Sequence, residues 1–213
     1  MKTLFTRVLI ASSLIAGGSI FSAPSQAALV TVDPDSYSNH TNISSSFSGL
    51  TLSTVGGSNT NVYAVASGLS TTGSNVFGTY STSAGYGVNW GGSSNDGLKA
   101  VFAVATDYVQ IDIIGNSSGN SDRGQLTAYD SSNNVIATVT TNNLGSGDYQ
   151  TLSITQGTAS IAYIIATGTN NRAISLDNLK YTVGSVPEPS AIVMLGCGAV
   201  AIFGVSRRRR PRG

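Results

Sequence analysis

The pentapeptide VQIDI, residues 109–113, decides the fold class of this chain. Its apolar and polar residues alternate, which is the period of a β-strand with one face in a core and the other in water. The same period occurs in residues 135–139, 152–154 and 161–165. Other candidate strands are residues 50–55, 62–66, 76–81, 98–105, 125–129 and 173–183. About ten short strands joined by turn-forming residues predict an all-β fold, a sandwich or barrel. We choose a β-sandwich of jelly-roll type.

The N-terminal residues have the order of a secretory signal peptide. Lys2 and Arg7 precede an apolar run over residues 8–21, and the small-residue sequence Ser25-Gln26-Ala27 follows it. A positive region, an apolar region and a cleavage site in this order predict a signal peptide over residues 1–27 and export by the Sec machinery. The alternative is a core helix or membrane anchor, for which the run is short and interrupted by glycines.

The C-terminal residues combine three features in a fixed order. Pro187-Glu188-Pro189 cannot lie inside a helix, because proline lacks the N–H donor and pushes its predecessor toward extended backbone. Residues 191–205 carry no charge, and Arg207, Arg208, Arg209, Arg210 and Arg212 follow. The uncharged run predicts a single transmembrane helix, and the arginines predict that its C-terminal end is cytoplasmic.

This order resembles the PEP-CTERM sorting signal of Gram-negative bacteria, which also carries the label ice-binding protein C-terminal domain. The resemblance covers about the last 27 residues. It implies that a membrane-embedded exosortase recognises and removes the tail, and that the producing species makes extracellular polysaccharide. The expected domains are a signal peptide (1–27), an extracellular β-sandwich (28–185) and a sorting signal (186–213). The precursor is expected in the inner membrane and the product at the cell surface or outside.

The body of the chain is acidic and free of cysteine. Residues 28–186 hold four cations and nine aspartates, a net charge of −5, and Cys197 lies beyond them. No basic patch is available to neutralise phosphates, so we expect no nucleic-acid partner. Without disulfides, the body must be stabilised by its hydrophobic core.

The last candidate strand changes phase. Ile174 and Leu176 share one parity and Leu179 and Tyr181 the other, which predicts a β-bulge near Asp177 and Asn178. The stretches LTAYD (126–130) and LDNL (176–179) resemble the closing strands of galactose-binding-like jelly rolls over residues 96–183. That resemblance makes Asp177 a candidate ligand for a structural calcium ion. The alternative is that Asp177 pairs with Lys180 or caps a turn. We expect no other cofactor.

No residue pattern of a known catalytic site is found. His40 is the single histidine and lies in a polar stretch, residues 36–48, with no nucleophile motif beside it. Zinc motifs are missing, and nothing singles out a pair of aspartates for glycoside hydrolysis. We therefore predict a protein that is not an enzyme and has no catalytic residues.

The candidate ligand-binding residues are Tyr86 and Trp90, in SAGYGVNWGGSSNDG (83–97). Flat aromatic rings beside flexible backbone suit stacking on sugars. The alternative is that Trp90, which shares its parity with Val88, anchors a short strand in the core. The predicted function is a non-catalytic carbohydrate-binding module that binds extracellular polysaccharide. A structural or adhesive matrix protein is the alternative, ahead of a glycoside-processing enzyme or an ice-binding protein.

Overall fold

The computed structural model describes residues 28–56, 59–92 and 96–183, and these residues form β-strands. The strands are β1 (Ala28–Val32), β2 (Leu50–Val55), β3 (Tyr63–Ala66), β4 (Asn75–Ser81), β5 (Gly85–Gly87), β6 (Trp90–Gly91), β7 (Gly97–Thr106), β8 (Tyr108–Gly115), β9 (Gly124–Tyr129), β10 (Val135–Thr140), β11 (Tyr149–Thr155), β12 (Ile161–Gly168) and β13 (Ala173–Val183). Pro34–Ser36 form a 3-10 turn after β1.

The strands form two sheets. The first sheet has the order β11-β8-β13-β4-β3, with β1 and β6 paired to β13 and β5 paired to β4. The second sheet has the order β10-β9-β12-β7-β2. The pairings are antiparallel, and the described residues belong to one compact unit, Gln26–Val186. The predicted all-β sandwich is confirmed.

The core lies between the sheets and follows the predicted alternation. In β8, Val109, Ile111 and Ile113 are fully buried in it. From the second sheet, Leu98, Leu126 and Ile164 enter the same cluster. Each strand thereby gives one face to the core and the other to the outside of the sandwich.

The predicted bulge is present. The register of β13 against β8 shifts between Asp177 and Lys180, and Asn178 has a φ of 47°. Leu176 before the shift and Leu179 after it are both fully buried. The bulge therefore keeps the apolar residues of both parities in the core.

Strands β1 and β5 are not predicted from the sequence, and β6 is predicted only by the alternative in which Trp90 anchors a short strand in the core. The sequence of β5 is GYG, too short for a period to be read. Strand β1 begins at the first described residue and pairs along its length with the end of β13. The position of β1 is therefore set by its pairing with β13, which lies near the other end of the body in sequence.

The two sheets differ in their outer faces. A loop of residues 69–74 lies over the first sheet and bonds to Asp112, Asp177 and Asn178, which are almost completely buried. The second sheet exposes apolar side chains, with Val101 38% and Val135 59% accessible. We call these surfaces the covered face and the open face.

The predicted signal peptide (1–27) and C-terminal transmembrane helix lie outside the described residues. Within residues 28–56, 59–92 and 96–183, no helix has the length and apolar character to cross a membrane.

Candidate functional site

Trp90 belongs to the core. Its side chain is fully buried, and its indole Nε1 donates a hydrogen bond of 2.8 Å to the backbone oxygen of Phe77. The adjoining Gly91 has a φ of 91°, and a Cβ there would lie 2.6 Å from the amide nitrogen of Gly168. Both features fix Trp90 as the inward anchor of β6. The prediction that Trp90 contributes to a ligand surface is corrected, because no face of its ring reaches solvent.

Tyr86 lies on the surface, within a group of four rings that we call the aromatic cluster: His40, Tyr63, Tyr80 and Tyr86. The Tyr86 side chain is 38% accessible. Its ring is stacked on His40, with centroids 3.8 Å apart and an angle of 7° between the planes. Tyr63 and Tyr80 contact it at 5.2 and 4.9 Å, in edge and tilted arrangements.

Three segments of the chain bring these rings together. Tyr63 is in β3, and Tyr80 and Tyr86 are directly opposite each other in the β4–β5 pair. His40 comes from a loop attached to β3: its amide donates to the oxygen of Ala64 at 2.7 Å, and the amide of Ala64 donates to the oxygen of Thr41 at 2.9 Å. The cluster therefore rests on paired backbone rather than on a free loop.

His40 adopts an unusual backbone conformation. Its φ is 68°, in the left-handed region that a residue with a side chain enters rarely. Such strain costs about 1 kcal/mol or more and is concentrated at functional positions. Here it places an exposed imidazole flat on Tyr86. The polar stretch around His40 carries no signal for this contact, because 46 positions separate His40 from Tyr86 in the sequence.

Asp177 holds the loop of the covered face. Its Oδ2 accepts hydrogen bonds from the amides of Thr71 and Thr72 and from the Thr71 hydroxyl, at 2.8–3.2 Å. Its Oδ1 accepts from the amide of Asn178 at 2.9 Å. Burial raises the pKa of the Asp177 carboxyl above 3.8, and the donors from Thr71, Thr72 and Asn178 oppose that shift.

Asp112 lies beside Asp177 in the paired strand β8. Its Oδ2 accepts from Asn178 Nδ2 at 3.2 Å and, at 3.0 Å, shares the single proton of the Thr71 hydroxyl with Asp177, and its Oδ1 accepts from the Thr151 hydroxyl. These N–H and O–H donors occupy the positions that a cation would take on the carboxylate oxygens. Calcium at Asp177 stays an untested candidate, and its binding would require the Thr71 and Thr72 donors to move.

No three metal-ligating side chains gather within residues 28–56, 59–92 and 96–183. The His40 side chain contacts the Tyr86 ring, and in the described part of the chain no nucleophile is hydrogen-bonded to this imidazole. The absence of enzymatic activity stays a prediction.

The comparison with protein families concerns the C-terminus. The family described as the PEP-CTERM protein-sorting motif matches residues 185–210. That range contains Pro187, Glu188, Pro189 and the arginines 207–210, which lie outside the described residues. The chain thus carries the sorting motif that its sequence predicted. This motif indicates a secreted surface protein processed by an exosortase.

The solved structures similar to this chain are β-sandwich domains of low identity. The K2 cleaved adhesin domain of Lys-gingipain is 15% identical, with 74% of this chain and 99% of that chain covered and a TM-score of 0.46. CBM29_1, a family 29 carbohydrate-binding module from Piromyces equi, is 9% identical, with coverages of 76% and 94% and a TM-score of 0.41. The CBM22-1 xylan-binding domain of Paenibacillus barcinonensis Xyn10C is 9% identical, with coverages of 77% and 100% and a TM-score of 0.39. No curated protein sequence matches the chain.

Proposed function

We propose that this protein is an exported, non-catalytic carbohydrate-binding module that binds extracellular polysaccharide through the aromatic cluster. The observation that carries the proposal is the stack of His40 on Tyr86, held by a strained backbone at the surface. A ring pair in the core needs no such strain, because packing alone orders it. The strain at His40 is explained if the exposed stack has a ligand.

The chemistry of the cluster suits sugars. A pyranose has apolar C–H surfaces that pack on aromatic faces, and hydroxyls that bond to neighbouring polar groups. Tyr63 and Tyr80 extend the flat surface beside Tyr86, and both are partly buried, so little side-chain entropy remains to be lost on binding. The serines of the β4–β5 turn, Ser81 and Ser83, supply exposed hydroxyls next to the rings.

We further propose the route by which the protein reaches its ligand. The signal peptide (1–27) directs export, the uncharged run before the terminal arginines holds the precursor in the inner membrane, and exosortase removes the tail. The product then remains at the cell surface or in the medium. This route places the module beside the polysaccharide that it binds.

One experiment tests both parts. The protein is recovered from the medium of producing cells, its mass is measured, and its binding to a panel of extracellular polysaccharides is compared between wild type and Tyr86→Ala. We expect both termini to be missing and the substitution to weaken binding at least tenfold. The matched control is Tyr149→Ala: Tyr149 is 59% accessible and contacts no other ring among the described residues, so binding should not change.

Three results would contradict the proposal. An intact, cytosolic chain contradicts the export route. A folded wild-type protein that binds no polysaccharide in the panel, or a Tyr86→Ala variant that binds as wild type, contradicts the site and favours a structural matrix protein without a small ligand.

A further inference from the structure

A row of side chains crosses the open face of the second sheet through all five strands. Cross-strand partners place Val101, Tyr163, Tyr129 and Val135 side by side, with Thr51 at the β2 end. Four interstrand spacings of about 4.8 Å give the row a length of about 19 Å. A surface of this length, with both aromatic and aliphatic groups, suits a ligand that is an extended chain.

Two tyrosines form the centre of the row. The rings of Tyr129 and Tyr163 are stacked, 4.6 Å apart with an angle of 6° between their planes. The Tyr163 hydroxyl donates to Asn133 Oδ1 at 3.1 Å. Partial burial is the largest cause that raises the pKa of the Tyr163 phenol above 10.0, and the nearby Tyr129 and Asp130 raise it further. The phenol therefore remains a neutral donor. The stacking and the bond to Asn133 together set the orientation of the Tyr163 ring.

Lys99 completes the arrangement. Its Nζ lies 4.2 Å from the centroid of the Tyr163 ring. Among the described residues, no carboxylate forms an ion pair with it. Lys99 is half-buried as a residue, and its ammonium, without a carboxylate partner among the described residues, lies over the central tyrosine of the row. Asp130 is the acid that raises the pKa of the Tyr163 phenol. The oxygens of Asp130 accept hydrogen bonds from Ser132 and Asn134 of the same turn.

We infer that the open face is a second glycan-binding site, selective for a sugar that carries a carboxylate. The Tyr129–Tyr163 pair packs on the sugar chain, and the Lys99 ammonium forms a charge-assisted hydrogen bond with the carboxylate of a uronic acid. Polar side chains of the adjacent rows, Ser53, Gln125 and Thr138, face the same side and bond to hydroxyls. The Lys99 ammonium, in a body whose net charge is −5, fits isolated acidic sugars better than dense polyanions.

This inference rests on the proposed function in one respect: both sites bind polysaccharide. The open-face site has other residues and another ligand than the aromatic cluster. It contains the Lys99 ammonium, whereas the aromatic cluster contains no cation that is always charged. The two sites are therefore separated by variants that affect only one of them.

The test uses matched oligosaccharides and the protein recovered from the medium. Cellotetraose, β-1,4-galactotetraose and β-1,4-mannotetraose are each compared with the derivative in which one C6 hydroxymethyl group is oxidised to a carboxylate. Calorimetry gives Kd, and NMR shifts of the Tyr129 and Tyr163 amides locate the binding. We expect at least one acid to bind five- to tenfold more tightly than its neutral partner, with the advantage shrinking at high salt.

Variants at Lys99 identify the cause. Lys99→Met keeps an apolar side chain over Tyr163 and should abolish the preference for the acid, while Lys99→Arg should retain it. Lys180→Met, on the first sheet, is the matched control and should leave the preference unchanged. Tyr86→Ala should also leave it unchanged, so a failure of the aromatic cluster as a site does not affect this result.

Several outcomes overturn the inference. They are the absence of binding for every oligosaccharide, equal affinity for acid and neutral partners, an acid preference that survives in Lys99→Met, and shifts confined to residues outside the second sheet. Binding of poly-glutamate with the affinity of the acidic sugars also overturns it, because the face would then select charge and not a glycan.

Discussion

The covered face and the open face are outer surfaces of the same sandwich, yet they are built in opposite ways. On the covered face, Asp112 and Asp177 are almost completely buried, and their oxygens are satisfied by Thr71, Thr72, Asn178 and Thr151. On the open face, Lys99 has no ion-pair partner among the described residues, and Val101 and Val135 are exposed. The first arrangement meets the hydrogen-bonding needs of its buried groups internally, whereas the second leaves groups available to a ligand.

Because of this difference, substitutions can separate effects on stability from effects on binding. Buried polar groups are costly when their partners are lost, and exposed groups are not. Substitutions on the covered face should therefore change the free energy of unfolding, and those on the open face should mainly change affinity.

The largest expected effect is the substitution Asp177→Ala. It leaves the amides of Thr71, Thr72 and Asn178 without their carboxylate acceptor, while the Thr71 hydroxyl keeps Asp112. We expect the free energy of unfolding to fall by about 3 kcal/mol or more, measured by urea denaturation. The open-face control is Thr140→Ala, which removes one exposed hydroxyl and should cost less than about 0.5 kcal/mol. Similar losses for both variants would remove the distinction between the faces.

The covered face shows where sequence reasoning succeeds and where it fails. The alternation of Val109, Ile111 and Ile113 predicted β8, and the parity change around Asp177 predicted the bulge, because both depend on neighbours along the chain. The contact of Asp177 with Thr71 joins residues 106 positions apart and leaves no local pattern.

The candidate sites were less predictable for the same reason. The parity shared by Val88 and Trp90 left Trp90 either inward or exposed, and the acceptor that decides the matter is the backbone of Phe77, 13 residues earlier. Tyr129 and Tyr163 are separated by 34 positions, and their stacking follows from the β9–β12 register, which composition does not reveal. The tyrosines at outward positions of two strands were the available signal.

An intermediate effect is expected for the tyrosine pair of the open face. In a double-mutant cycle with Tyr129→Ala and Tyr163→Ala, the stacked rings should give a coupling energy of about 0.5–1.5 kcal/mol in the free energy of unfolding. The pair then contributes modestly to stability and remains able to serve a ligand. Strictly additive losses would show that the rings do not stabilise each other, and a coupling above about 3 kcal/mol would make the open face as structural as the covered one.

The smallest expected effect concerns calcium at Asp177. Because N–H and O–H donors already occupy the oxygens of Asp177 and Asp112, we expect the melting temperature to be the same in excess chelator and in millimolar calcium. The measurement is sensitive: an ion with a micromolar Kd, present at a thousandfold excess over that Kd, would stabilise the protein by about 4 kcal/mol. For a chain of this size that corresponds to a rise of roughly 8–16 °C. Such a rise, lost in Asp177→Asn, would mean that the loop over the covered face releases its carboxylates to a metal, and the covered face would then also be a binding surface.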